Sequence, residues 1–529
     1  MNSLVSNNTK NPFAQPFNYR NLLAKSSLVQ YEEKDFRGKS LICIFFTRYC
    51  GVGCPFCFFK SAPPPGDLSI EGHFSDEGIT RFIQFANQAN VGYLLVSGGG
   101  EPLNHRNAIL RTVKEVNTER IVLVTSGSWA INKKAAQQYL RRICEAMESR
   151  TTPSYVTIRV SVSQGHAIKL GTAPAKNLIE IFEEEYASHP FLKLQIHAFE
   201  EDTMLNQVLS HFPDISIEES SEIKPSDDPF VFKRIPKKIT LKLSSGFKII
   251  VGISKVFKSG LRPNLNEVES LNDSIKVFER DLIESEDNNS AIVDNANGEK
   301  GLDWAINYNG NTCTWQNQVN DNQYNLYEDN FKNIFEGTLQ DPLTLSYIEK
   351  GRVYRESIVE EVSPRSVLRM KAISLRDYSG TIIFEEEKTR LYYTIRVIQD
   401  YLKDGRVNKG ALKQLPSELL HLIFLPLEEL KKHYHNAKYT IIDQQRKKAF
   451  RTQDWRDLFE LIKLGHYDLS DEDVQEALWY FNSQSSDEKI DSLNSLKHEN
   501  GDIERRLTER LMYIKPMKKQ EVKPQTILN

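Results

Sequence analysis

Between residues 40 and 200 short apolar runs alternate with amphipathic stretches, and this alternation limits the possible folds more than any other feature of the chain. Leu41 to Thr47 is an apolar run suited to a buried strand. Ser75 to Ala89 has helical spacing through Ile79, Phe82, Ile83 and Phe85, with Ser75 placed to cap it. Further strands are expected at Val91–Val96, Ile121–Val124, Val156–Val162 and Leu192–Ala198. Helices are expected at Arg106–Val116, Lys133–Met147 and Lys176–Glu185. Strand and helix in this rhythm mean parallel pairing with right-handed crossovers. A full or partial barrel and a doubly wound sheet both satisfy it. In either, chemistry sits on loops at the C-terminal ends of the strands.

The chain has 529 residues, enough for two to four domains. With 40% hydrophobic and 26% charged residues it is neither collagenous, fully disordered nor a polytopic membrane protein. A formal net charge of -3 gives no global drive toward nucleic acid or anionic membrane. No apolar stretch approaches the ~18 residues of a membrane span. Met1 to Gln15 has no signal-peptide pattern, so a cytoplasmic, reducing setting is expected. Six cysteines are too few for a disulfide scaffold, yet Cys50, Cys54 and Cys57 fall together.

Composition divides the rest. Residues 1–35 are Asn- and Ser-rich and read as a loosely ordered N-terminal arm. Residues 36–265 hold the alternating core, with a Pro- and charge-rich loop at Ser220–Lys238 and a further strand at Phe247–Ile253. Residues 266–348 comprise a linker, clearest at Glu284–Gly301, and a small region after it. Residues 349–529 are mainly helical, with amphipathic candidates at Glu418–Tyr434 and Trp455–Leu464 and a basic tail after Ile514. No internal repeat is present.

The cysteines read Cys50-Gly-Val-Gly-Cys54-Pro-Phe56-Cys57, a C-x3-C-x2-C spacing directly after the first expected strand. Gly51 and Gly53 let the backbone curl so that three sulfurs converge. Three thiolates are one short of the four that complete most iron–sulfur or structural zinc sites, which leaves one metal position for another ligand. Structural zinc with a histidine as fourth ligand is an alternative, although no histidine lies closer than His73. Three unrelated cysteines are another. After the second strand stands Ser97-Gly98-Gly99-Gly100-Glu101-Pro102. Glycines allow close approach of backbone to a ligand, and a carboxylate suits an ammonium. The plain alternative is a Gly-rich turn with a surface glutamate.

The two segments together resemble the radical S-adenosylmethionine (SAM) superfamily. The resemblance implies a partial (β/α)6 TIM-like barrel, an α/β fold. It implies that Cys50, Cys54 and Cys57 hold one 4Fe–4S cluster whose remaining iron chelates SAM, with Phe56 bordering the adenine. Gly99, Gly100 and Glu101 align with the family's segment that meets the SAM ammonium. Ser126, at the end of strand three, and Ser161, at the end of strand four, align with polar positions near SAM, although the usual asparagine is absent at the former. Ser163 stands where many relatives have aspartate. His166 reads as a solvent-exposed loop residue. Lys258-Ser-Gly260-Leu-Arg262 resembles a Gly-Arg stretch of peptide-modifying members, interrupted by Leu261.

Trp304 to Cys313, with Asn333 and Ile334 after it, resembles the SPASM or twitch extension of such enzymes, a hairpin followed by a helix. Those extensions carry auxiliary clusters on several cysteines. Here Cys313 stands alone in the region, so a small α+β SPASM-like region without a cluster is expected, followed by a mainly helical C-terminal domain. Cys313, Cys43 and Cys144 read as structural thiols. Short basic runs such as Arg446–Arg451 read as solvated faces, and nucleic acid is not an expected partner. His433 and His435 have no metal-like partner nearby in sequence.

The expected function is reductive cleavage of SAM and hydrogen abstraction from a substrate. The expected partners are SAM, an external flavodoxin- or ferredoxin-like electron donor and a peptide, as in maturation of a ribosomally made peptide. A small-molecule or nucleotide substrate is the alternative. A non-catalytic metal-binding interaction protein is the reading from another class.

Overall fold

The computed structural model describes residues 11–31, 36–54, 72–199, 202–220, 237–254, 292–294, 299–314, 324–350, 352–364, 379, 382–383 and 386–437. All fall within one compact unit, Met1–Ala437. Among them no helix is long and apolar enough to cross a membrane. Cys57, Phe56, Lys258–Arg262, Trp455–Leu464 and the basic runs lie outside the described residues.

After a first helix, α1 (Pro16–Ala24), the expected alternation is present. It runs β1 (Ser40–Phe45), α2 (Asp76–Gln88), β2 (Val91–Ser97), α3 (Arg106–Glu115), β3 (Arg120–Thr125), α4 (Lys133–Glu148) and β4 (Tyr155–Val162). Two helices follow β4, a short α5 (Gln164–Leu170) and then α6 (Ala173–Glu185), before β5 (Leu192–Phe199) and α7 (Met204–Leu209). The Ser75 side chain caps α2 by accepting from the Gly78 N–H, and Asp76 and Glu77 occupy its positive first turn. A hairpin strand pair, β6 (Ser216–Ser220) and β7 (Lys237–Lys242), leads to β8 (Lys248–Ser254).

Strands β1, β2, β3, β4, β5 and β8 are parallel neighbours in chain order. A doubly wound sheet requires the order to reverse at a switch point. From β1 to β8 no reversal occurs, so this run of strands is singly wound. The hairpin β6–β7 closes one end antiparallel to β8.

Strand β4 shows how the two faces differ. Val156, Ile158, Val160 and Val162 are buried, while Thr157, Arg159 and Ser161 are half-buried. The period of two puts the first set under the helices. There they join Ile42, Leu94, Leu123, Ile196, Phe82, Ile109, Leu140 and Phe182 in the main core. On the opposite face Cys43, Phe45, Tyr93, Leu95 and Val122 form a small apolar cluster across β1 to β3. Beside it β4 and β5 offer Arg159, Ser161, Gln195 and His197.

The downstream region continues the same sheet. Strands β9 (Ile292–Asp294), β10 (Lys300–Ile306), β11 (Asn311–Thr314) and β12 (Tyr324–Asn325) follow β8. Strand β10 pairs parallel with β1, Leu41 beside Asp303 and Ile44 beside Ile306. The expected linker therefore runs into structure: Asp294 and Val293 pair with Lys300 and Gly301. A Cβ at Gly301 would stand 2.1 Å from the Lys39 carbonyl oxygen, so only glycine lets β10 lie this close to the chain entering β1. The expected hairpin is β10–β11, turning at Gly310 with φ +82. The expected helix is α8 (Phe331–Gln340).

A second core is helical. It is built from α9 (Pro342–Glu349), α10 (Arg352–Glu360), α11 (Glu387–Lys403), a short α12 (Lys409–Leu412), α13 (Ser417–Phe424) and α14 (Leu427–Asn436). The amphipathic stretch expected at Glu418–Tyr434 forms two helices, because Pro426 has no N–H to continue the ladder. The N-terminal segment is no loose arm over residues 11–31. Phe13, Leu23 and Leu28 are fully buried in this helical core beside Leu391, Tyr392 and Leu419. Their scattered apolar side chains find cover on elements more than 300 residues away, which no local pattern announces.

Candidate functional site

Because β1 to β5 are parallel, the loops after them open at one end of the sheet. The loop after β1 carries Cys50 and Cys54, both half-buried, and turns at Gly53 with φ +66. The Val52 N–H points at Cys50 Sγ, 3.4 Å away, a donor that favours the thiolate. The loop is tied down at its root. Thr47 Oγ1 donates to the Gly72 carbonyl at 3.1 Å and accepts from the Tyr49 N–H at 3.0 Å. The Tyr49 ring packs edge-on against His73, centroids 4.6 Å apart, and His105 also packs edge-on against His73 at 5.2 Å. Burial, with His105 nearby, pushes the His73 imidazole down to about 4. His73 is thus a neutral packing group under the loop. Two thiols on a glycine-turned loop, one of them facing a backbone N–H, suit a thiolate-held metal. No third Cys, His, Asp or Glu joins them among the described residues, and Cys57 lies outside these.

The glycine loop after β2 lies directly against the cysteine loop. The Glu101 N–H donates to the Tyr49 carbonyl at 2.8 Å. A Cβ on Gly100 would stand 2.2 Å from the Tyr49 oxygen and 2.5 Å from its nitrogen. The two loops touch backbone to backbone, and Gly100 is what permits it.

Glu101 is not the surface glutamate of the plain alternative. It is 2% exposed. Its oxygens accept from Thr125 Oγ1 at 2.7 Å, the Ser126 N–H at 2.7 Å, Ser126 Oγ and the Leu103 N–H at 3.2 Å. Thr125 Oγ1 itself accepts from the Gly127 N–H at 2.9 Å and from Trp129 Nε1 at 3.0 Å. With both acceptor positions taken, its proton must go to Glu101. Burial pushes the Glu101 carboxyl up, while the bonds from Ser126, Thr125 and Leu103 oppose that shift. All the groups around it are donors, which is the environment of a carboxylate.

Of the other expected residues, Ser126 is bound to Glu101, and Gly99 sits 3.2 Å (as a Cβ) from the Thr47 carbonyl oxygen, beside Tyr308. Ser161 is half-buried on the open face of β4, beside His197 of β5, and its hydroxyl makes no hydrogen bond among the described residues. Ser163 caps α5, its Oγ 2.7 Å from His166 Nδ1. His166 is therefore no exposed loop histidine. Burial pushes it down to about 4, although Asp202 opposes this. Cys43 is buried in the small apolar cluster on β1, and Cys144 is half-buried on α4. Cys313, 7% exposed, directs its thiol at the Ala305 carbonyl across the β10–β11 hairpin. His433 of α14 packs on His421, centroids 5.5 Å apart, far in sequence from the loops described above.

Three residues at this end carry no signal in the sequence. Lys169 of α5 reaches the Gly51 carbonyl at 3.1 Å, crossing from the loop after β4 to the cysteine loop. The hairpin turn brings Tyr308 to Arg48, whose guanidinium carbon is 5.7 Å from the ring centroid. His197 faces Arg159 and His166, and burial with these neighbours pushes it down to about 4. Each is placed by pairing across long stretches of chain.

No protein-family model matches the chain. Over 168 residues it is 21% identical to the "Putative peptide biosynthesis protein YydG" of Bacillus subtilis (strain 168). The match covers 31% of this chain and 48% of that protein, so it spans about half of the relative's length.

Proposed function

We propose that the chain is a radical SAM enzyme that modifies a peptide. The observation that carries the reading is the direct contact of the cysteine loop after β1 with the glycine loop after β2, at the C-terminal end of the singly wound run of parallel strands from β1 to β8. That order is also what a partial (β/α)6 barrel requires. The likeness to a protein named for peptide biosynthesis supports the choice of a peptide over a small molecule or nucleotide.

Cys50, Cys54 and Cys57 would hold one 4Fe–4S cluster, and the backbone of Gly98 to Gly100 would receive SAM. Bound there, the two would supply reductive cleavage to a 5′-deoxyadenosyl radical able to take hydrogen from an unactivated carbon. The protein's own work is orientation and exclusion of water. Gly100 keeps the two loops in contact, the Val52 N–H would favour Cys50 as a thiolate ligand, and Ser161 stands on the open face with its hydroxyl available. The apolar cluster of Phe45, Leu95 and Val122 makes a dry floor on that face. The electron would come from an external flavodoxin- or ferredoxin-like donor. Cys313, held within its hairpin, takes no part, and a single cluster is proposed.

Anaerobic reconstitution tests the reading. About four irons per chain and reductant-dependent 5′-deoxyadenosine are expected. Zinc uptake without SAM cleavage would sink it.

A further inference from the structure

We propose that Glu101 is a positioning residue and does not itself contact SAM. Its backbone N–H holds the cysteine loop through the Tyr49 carbonyl. Its carboxylate holds the loop after β3 through Thr125 and Ser126, and its own loop through the Leu103 N–H. One residue thereby sets three mouth loops in register. The inference rests on the reading that SAM binds at these loops.

The hydrogen bonds argue against direct contact. A carboxylate has about four lone-pair sites, and here four protein donors occupy them. Three of the four donors cannot be turned away cheaply; the hydroxyl of half-buried Ser126 is the one that can rotate. Thr125 Oγ1 is locked by Trp129 Nε1 and the Gly127 N–H, and two of the bonds come from backbone amides. Trp129 is itself buried and packs on Tyr139, centroids 5.3 Å apart. A ligand ammonium reaching Glu101 would have to enter a site that is 2% exposed and displace a donor, and only the Ser126 hydroxyl could leave without being buried and unpaired. The carbonyls of the glycine loop are the acceptors that remain.

The test measures SAM dissociation constants by equilibrium dialysis on the anaerobically reconstituted full chain. The variants are Glu101→Gln, Thr125→Val/Ser126→Ala, and the triple combination. Whichever way it turns, glutamine sets its NH2 against a backbone N–H, that of Ser126 or of Leu103, and so breaks the same clamp from the other side. If Glu101 acts through Thr125 and Ser126, the double variant weakens SAM binding about tenfold, Glu101→Gln weakens it similarly, and the triple variant is no weaker than the worse of the two by more than about threefold. Normal SAM binding by the double variant would overturn the proposal, as would normal binding by Glu101→Gln or losses that multiply in the triple variant. Should Glu101→Gln fail to fold, the double variant decides alone in the same way. A merely structural role lowers the thermal midpoint without moving the dissociation constant; Ser75→Ala at the cap of α2 provides that reference. Wild-type protein that takes up iron but binds no SAM would overturn the functional reading itself, and this inference with it.

Discussion

Arg20 Nη2 and Asp341 Oδ2 lie 2.7 Å apart, 321 residues apart in the chain, with both side chains 1% exposed. The pair joins α1 to the start of α9, where Asp341 also caps the helix through the Leu343 and Thr344 amides. Removing one member of a buried pair leaves the other charge without a counter-ion. Arg20→Met is expected to cost about 3–5 kcal/mol of unfolding free energy. Urea denaturation followed by circular dichroism measures it, and a change below about 1 kcal/mol would mean the pair contributes little.

Gly100 and Gly51 make opposite predictions. A Cβ at Gly51 meets nothing within 4 Å, while one at Gly100 enters the Tyr49 backbone. Gly51→Ala should keep iron near the wild-type content after reconstitution. Gly100→Ala should lose most of it, because the two loops must separate. Equal iron in both variants would contradict the loop contact.

The cysteines should divide by place. Cys50→Ala or Cys54→Ala is expected to abolish cluster absorbance and SAM cleavage. Cys144→Ala should spare both. Burial, with Glu148 nearby, pushes the Cys144 thiol up to about 11, so it remains protonated and a poor ligand at neutral pH. Iron loss in Cys144→Ala would argue against this division.

Stability should fall on mild acidification. His166 and His197 are held neutral in the folded protein, pushed from 6.5 to about 4, chiefly by burial. Below pH 6.5 the unfolded chain gains protons that the folded one refuses. Stability is therefore fully present above about 6.5 and declines as pH falls toward 4. His197→Gln should flatten that decline in the thermal midpoint. An unchanged slope would mean that His197 takes up its proton without unfolding.

What could be read in advance was whatever repeats locally. The apolar runs located β1 to β5, and Ser75 announced the start of α2 because an N-cap acts within one helical turn. Both mouth loops were legible because cysteine and glycine spacing is local chemistry. The clamp on Glu101 was not, since it depends on Thr125 and Ser126 arriving from another strand. The split at Pro426 was available to a stricter reading of proline. The bond of His166 to its own capping serine was not. The docking of Phe13 and Leu23 had no period at all, because their partners lie at the far end of the described chain.

The parallel pairing of β10 with β1 makes the order of synthesis matter. A fragment ending near residue 265 contains the cysteine loop, the glycine loop and every strand through β8, yet it lacks Lys300–Ile306. Its β1 would present an unpaired row of amides and carbonyls along Leu41 to Ile44, flanked by apolar side chains. Such an edge recruits other chains. On the ribosome the strand that supports the cysteines must wait for its second neighbour until about 260 further residues have emerged (Leu302 bonds to Ser40, 262 residues earlier). The excised core should therefore aggregate where the longer chain does not, and any expression strategy must carry residues 300–314 with it.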